Sequence, residues 1–193
     1  MKKFILFLFA TLILQPAFAQ KKLTKAMVQP LLVEAMADFT ESVQPYYQKG
    51  MTVQEFEIKL LGKDVKNNSK PGKELIYKAF RYIESGTSRR TIIATDNGVE
   101  MAQAYVITEM LRQKNPKSTG SELFGIFPSP TDPIVAEGSK CRWYQLGCHL
   151  RSLSQVMVHH GNAICLLAGL FNVECNPAAI ATLGELLAAI FGK

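Results

Sequence analysis

Apolar residues recur three and four positions apart through the first half of the chain, a spacing typical of amphipathic helices. The first run, residues 27–48, predicts a helix beginning at Pro30, because proline suits a first helical turn. Residues 20–116 together predict four such helices packed as one small bundle. Their expected boundaries are Pro30 to Pro45 and Gly50, the capping box 52–55 to Gly62, Ser69 with Pro71 to Gly86, and the turn 95–98 to Asn115 with Pro116.

Two stretches between these helices are expected to be non-helical. Residues 63–70 are polar and predict a loop. Residues 91–95 have the composition of a short strand or of an extended connection between helices. Because one strand cannot make a sheet, we expect the extended connection.

Proline and glycine punctuate residues 117–140, which predicts a linker. Pro128, Pro130 and Pro133 remove backbone donors and favour extended conformations. The apolar patch at residues 124–127 interrupts this polar stretch. We expect that patch to dock on a neighbouring element.

Residues 141–193 predict three further helices. The first, residues 142–159, carries one apolar stripe. Residues 163–171 form a second, almost wholly apolar segment that follows Gly161. Asn176 with Pro177 caps the start of the third, which ends at Gly192. The stripe of the first helix consists of Trp143, Leu146, Leu150, Leu153 and Met157.

The two most apolar pieces, residues 163–173 and 178–191, are too short to cross a bilayer alone. As helices they would be about 16 and about 21 Å long, against roughly 30 Å of hydrocarbon. We expect buried core helices, or helices that enter a membrane only as a hairpin or an oligomer.

All four cysteines, Cys141, Cys148, Cys165 and Cys175, lie in residues 141–193. Cys141 and Cys148 would be about 10 Å apart along a regular helix, beyond disulfide reach. Either this segment is not one regular helix, which Gly147 allows, or the bridges join different helices. Three pairings are possible, and we prefer Cys141–Cys175 with Cys148–Cys165, because nested bridges would staple antiparallel helices.

These observations predict an all-α fold in three parts. An N-terminal amphipathic helical bundle (20–116) is followed by a Pro-rich linker (117–140). The C-terminal unit (141–193) is predicted to be a disulfide-stapled apolar hairpin or three-helix unit.

Residues 1–19 have the features of a secretory signal. Lys2 and Lys3 precede an apolar run at residues 4–14, and Ala17 and Ala19 fit a cleavage site before Gln20. As a helix the run would be about 16 Å long, too short for a membrane anchor. We therefore expect a secreted or periplasmic protein, a location that favours disulfides.

The charge of the chain narrows the class of partner. The formal net charge is +6, and it falls to +4 when the leader with Lys2 and Lys3 is removed. A charge of this size does not indicate nucleic-acid binding. It does suit contact with an anionic membrane surface.

Candidate catalytic, cofactor and metal sites are not predicted. The sequence contains no G-x-S-x-G, no H-E-x-x-H and no phosphate-binding glycine loop. His149 and His160 are three helical turns apart, too far to share one metal along a single helix. We expect the histidines to be surface groups near a helix C-terminus, where the helix dipole favours protonation.

The loop of residues 141–148 ahead of the apolar stretch 163–191 resembles sporulation-delaying-protein-type toxins, in which a short disulfide loop precedes an apolar helical segment. The cysteine-bearing apolar C-terminus more loosely resembles halocin-type peptides. The resemblance covers residues 141–193 alone, and Cys165 and Cys175 are additional to the pattern.

The resemblance implies an antimicrobial precursor whose released C-terminal part, residues 141–193, permeabilises the lipid membrane of target cells. Cleavage is expected near residues 137–140, and the implied protein partners are a processing protease and an immunity protein. The side chains expected to contact the membrane are Arg142, Trp143, Tyr144, Leu166, Leu167, Leu170, Phe171, Leu186, Leu187, Ile190 and Phe191.

The alternative interpretation is a non-enzymatic secreted or periplasmic helical protein. In it the C-terminal helices form the core, and the protein binds a small apolar ligand or a partner protein.

Overall fold

A computed structural model describes residues 22–114, 120–125, 140–158, 160, 164–173 and 175. Every regular element within these ranges is helical, which confirms the all-α prediction for them. The α-helices are α1 (Lys25–Val43), α2 (Val53–Leu61), α3 (Lys70–Glu84), α4 (Arg89–Thr95), α5 (Val99–Lys114), α6 (Leu146–His149), α7 (Arg151–Val158) and α8 (Ile164–Leu170). Within the same ranges, three 3-10 helices span Gln44–Tyr46, Gly62–Asn67 and Ser121–Phe124.

Several sequence predictions lie outside the described residues. They are the signal at residues 1–19, the stop at Asn115 with Pro116, residues 117–119 and 126–139 of the linker, the stop at Gly161, and the third C-terminal helix from Asn176 to Gly192.

Helix starts that carry a capping signal are confirmed. The Thr52 backbone N–H donates to Glu55 Oε2 at 2.7 Å, and the Glu55 N–H donates to Thr52 Oγ1 at 3.2 Å. These two bonds form the predicted capping box of α2. Ser69 Oγ accepts the N–H of Gly72 at the start of α3. Short polar side chains therefore set the N-termini of α2 and α3.

The predicted start of the first helix is wrong by more than one turn. α1 begins at Lys25, so Pro30 lies inside the helix rather than in its first turn. Leu23 and Val28 are buried, and packing of this early turn outweighs the hydrogen bond that proline removes. Because Pro30 has no N–H, the Ala26 carbonyl lacks its usual helical donor.

Residues 91–95 are helical, so the predicted extended connection is wrong. The Thr91 N–H donates to Ser88 Oγ at 3.2 Å, which caps α4. The Thr95 hydroxyl donates to the Thr91 carbonyl at 2.8 Å, and Ile92 is buried against the core. A cap and one buried anchor therefore override the extended preference of β-branched residues. The predicted loop at residues 63–70 likewise contains a 3-10 helix, Gly62–Asn67.

α1 is the central element of the described fold. It packs against α3, α4, α5 and α7. Its buried side chains, which include Leu32, Met36 and Phe39, therefore face several neighbours rather than one. A helix covered on several sides needs more apolar positions than a single stripe.

The segment of residues 120–125 packs into the core. Phe124 is fully buried, and its ring stacks on Phe39 with centroids 6.0 Å apart. The Leu123 carbonyl accepts from the Ser69 hydroxyl at 2.7 Å. A side chain at Gly72 would come within 2.7 Å of that carbonyl oxygen, so glycine permits the close approach. The expected docking of this patch is confirmed for Phe124.

Candidate functional site

Two disulfides organise the C-terminal segment. They join Cys141 to Cys148, with Cα atoms 5.7 Å apart, and Cys165 to Cys175, with Cα atoms 5.6 Å apart. The preferred nested pairing is therefore wrong, and each cysteine pairs with its nearest neighbour in sequence. Bridges of this kind are typical of an oxidising extracellular or periplasmic compartment.

The first bridge can form because residues 141–145, which precede α6, are not helical. The Gln145 N–H donates to the Arg142 carbonyl at 2.9 Å, and the Arg142 N–H donates to Gln145 Oε1 at 3.2 Å. This turn brings Cys141 and Cys148 within bridging distance. We call residues 141–148 the disulfide loop. Of the two sequence alternatives, the irregular segment is the one observed.

The single helix predicted for residues 142–159 is divided in two. Leu150 separates α6 from α7, with a backbone conformation outside the α-helical range. The predicted apolar stripe nevertheless forms one buried face. Its members Trp143, Leu146, Leu150, Leu153 and Met157 are all buried.

The side chains expected to contact a membrane are divided between interior and surface. Trp143, Leu167 and Phe171 are buried, whereas Arg142 and Leu166 are exposed. Tyr144 and Leu170 are half-buried. Leu186, Leu187, Ile190 and Phe191 lie outside the described residues.

The N-terminal helices and the segment of residues 120–125 provide much of the cover over these buried residues. The Trp143 ring meets Phe124 at 5.4 Å and Tyr46 at 6.4 Å between centroids. Lys25 Nζ lies 5.0 Å from the centre of the Phe171 ring. α8, which carries Leu167, packs on α5. In this conformation a membrane could reach these apolar residues only after the helices separate.

His149 is buried, which corrects the expectation of a surface histidine. Its Nε2 lies 3.1 Å from the Arg142 carbonyl oxygen, and its ring meets Phe39 edge-on at 5.9 Å. Nδ1 is buried and has no hydrogen-bond partner among the described residues. Burial lowers the pKa of His149, and the Arg142 carbonyl and the Asp38 carboxylate oppose that shift only in part. The second described histidine, His160, is half-buried after the end of α7.

A groove between α1 and α4 is the second candidate site. Its volume is about 440 Å³, within the range of small-molecule sites. Pro30 leaves the Ala26 carbonyl on its wall without a helical donor. The groove is lined by Ala26, Gln29, Pro30, Val33, Ile93, Ala94 and Asp96.

The carboxylate beside this groove is fully engaged. Asp96 Oδ2 accepts from the Tyr82 hydroxyl at 2.6 Å and pairs with Lys78 Nζ at 2.9 Å. Asp96 Oδ1 accepts the Gly98 N–H, and Lys78 also pairs with Glu100. Burial, together with the Asp96 contact, raises the pKa of Tyr82. The network joins α3 to the start of α5 and leaves the groove itself largely apolar.

Sequence reasoning did not identify the groove. The sequence of the turn at residues 95–98 does not indicate that α1 packs beside it. A second buried cluster was also missed. Glu57 accepts from Asn68 Nδ2 at 2.8 Å and from the Tyr77 hydroxyl at 3.1 Å. This cluster ties α2 to the residue that precedes the N-cap of α3 and to the middle of α3.

Within the part of the chain that the structure describes, no group of three or more His, Cys, Asp or Glu residues could hold a metal. No helix there is both long and apolar enough to cross a membrane. No family model, curated protein or solved structure matches the chain.

Proposed function

We propose that this chain is the exported precursor of a membrane-active antimicrobial peptide. Residues 1–19 direct export, residues 20–140 cover the apolar C-terminal part, and residues 141–193 permeabilise membranes after release. The observation that carries the proposal is the disulfide pairing. Both bridges close inside residues 141–175, so no covalent link would hold this part after cleavage before Cys141.

The burial of the predicted membrane-contact residues supports a latent state. Trp143 and Phe171 are covered in part by Tyr46, Phe124 and Lys25. A free C-terminal part would lose this cover and expose apolar surface. Exposed aromatic and apolar residues beside Arg142 suit an anionic lipid surface.

The first test is the intact mass of the product found outside the producing cell, measured with and without reduction. A species beginning near Cys141 that gains two hydrogens per bridge on reduction would support release. That species is expected to leak dye from anionic vesicles, whereas the chain 20–193 is expected to leave them intact. A single extracellular species beginning at Gln20 and ending at Lys193 would contradict the proposal.

The second candidate is an exported, non-enzymatic helical protein that binds a small, mostly apolar molecule as a whole domain. The groove between α1 and α4 favours it. Binding of the dye 1-anilinonaphthalene-8-sulfonate would be measured for wild type and for Ala94→Trp, which fills the groove from an exposed position. Ile58→Trp, at an exposed position outside the lining, is the matched control. Equal dye binding by both variants would exclude the groove.

A further inference from the structure

His149 connects the disulfide loop to the helical bundle. It directly follows Cys148, so the bridge to Cys141 makes the loop and the histidine one covalent unit. Its ring packs on Phe39 of α1 and bonds back to the Arg142 carbonyl inside the loop. The imidazole therefore contacts both the loop and the bundle.

The hydrogen bonding of this ring fits only the neutral form. A carbonyl oxygen can only accept, so Nε2 must carry the hydrogen in the bond to Arg142. Nδ1 of the neutral ring is then an acceptor, and it is buried without a hydrogen-bond partner in the described part of the chain. Protonation would place a new N–H donor and a positive charge at this atom. An unpaired buried donor is unfavourable, and an unpaired buried charge is more so.

Among the residues that the structure describes, the charged groups around His149 do not supply a ready counterion. Asp38 on α1 attracts the ring's charge, but Asp38 is half-exposed and paired with Arg89 of α4. Arg142, inside the loop, would repel the imidazolium. The helices packed against α6 also carry Glu109 on α5, which is paired with Arg112, and Arg151 on α7, which is exposed.

We propose that His149 is a pH-sensitive catch, which holds the disulfide loop on the bundle when neutral and frees it when protonated. Outward movement of the loop would hydrate Nδ1 and take Trp143 away from Phe124 and Tyr46. The role of this catch in uncovering residues 141–193 at an acidic surface rests on the proposed function. The pH response of His149 does not depend on that function.

The chain provides its own reporter, because Trp143 is its single tryptophan, is buried, and lies inside the loop. Trp143 emission and far-UV circular dichroism of the full chain would be followed from about pH 7.5 to about pH 4.5, the range in which histidines change charge. We expect a reversible red shift, with a midpoint below the pKa of a free histidine, while helix content is largely retained. An emission maximum that stays constant across this range would overturn the proposal.

Two variants show which histidine causes the pH-dependent red shift. In His149→Gln the side-chain amide keeps a donor for the Arg142 carbonyl but does not titrate, so the red shift is expected to disappear. His160→Gln, at the other described histidine, is expected to keep it. An unchanged shift in His149→Gln would overturn the proposal.

If His149→Gln does not fold, an NMR titration of the wild-type His149 imidazole tests the same assignment. Its protonation must coincide with the fluorescence change, and a mismatch between the two midpoints refutes the catch. A positive pH response with a single uncleaved extracellular species would keep the catch and remove its role in release.

Discussion

Replacing Phe124 by alanine tests whether the N-terminal helices and the disulfide-bearing segment form one folded unit. Phe124 is fully buried and contacts Phe39 of α1 on one side and Trp143 of the disulfide loop on the other. Its side chain is therefore a direct physical link between the two parts. Its removal should destabilise both together.

The expected loss in the free energy of unfolding follows from the buried area of the Phe124 side chain. An aromatic side chain removes roughly 150–250 Å² from water, which at about 25 cal/mol per Å² corresponds to roughly 4–6 kcal/mol. Alanine retains part of that burial, and comparable phenylalanine truncations cost about 3–5 kcal/mol. We expect the free energy of unfolding to fall by an amount in this lower range.

The assay is urea denaturation followed by circular dichroism and by Trp143 fluorescence in parallel. For a slope of about 2 kcal/mol per molar urea, the midpoint should fall by roughly 2 M, and the two signals should report the same transition. Ile58→Ala, at an exposed apolar position, is the control and should change stability by less than about 0.5 kcal/mol. A loss below about 1 kcal/mol in Phe124→Ala would refute the common core.

Four further predictions follow from the contacts described. Thr52→Ala removes the N-cap of α2 and should cost about 1 kcal/mol in urea denaturation; no change would mean that the cap bond is not maintained in solution. Glu57→Ala leaves the buried Asn68 amide without its acceptor, at about 1–3 kcal/mol, whereas the half-buried Tyr77 hydroxyl can bond to water instead, and Glu57→Gln should recover part of that loss. Replacing Cys165 and Cys175 together by serine should lower stability by roughly 2–3 kcal/mol, the chain-entropy value for a loop of this size, and equal thermal midpoints for variant and wild type would contradict it. Because burial lowers the pKa of His149 in the folded state, the unfolded chain binds the proton first, so the contribution of His149 to stability should be fully present above about pH 6.5 and be lost as the pH falls through the folded-state pKa; the urea midpoint of His149→Phe should lack this pH-dependent contribution.

Local signals in the sequence predict much of this fold. The capping box at Thr52, the cap at Ser69 and the glycines that follow α2 and α3 act within one or two turns, and the structure places them as expected. The buried stripe from Trp143 to Met157 is likewise a local pattern. Such features depend little on the rest of the chain.

The features that were predicted wrongly depend on distant contacts. α1 extends before Pro30 because Leu23 and Val28 find a core made by other helices. The burial of His149 depends on Phe39, which lies far away in sequence. The pairing of Cys141 with Cys148 required a turn stabilised by Gln145, whereas regular helical geometry excluded it.

Each cysteine pairs with the cysteine nearest to it in sequence, and this pairing affects how the disulfides form. The partners are only 7 and 10 positions apart, so each loop closes at a lower entropic cost than the longer loops of the other two pairings. If the chain enters an oxidising compartment N-terminus first, as the proposed export requires, Cys141 can meet Cys148 before Cys165 is available, and Cys165 can then meet Cys175. Order of appearance alone therefore favours the native pairing over the two alternatives, and oxidation need not wait for the helices to assemble.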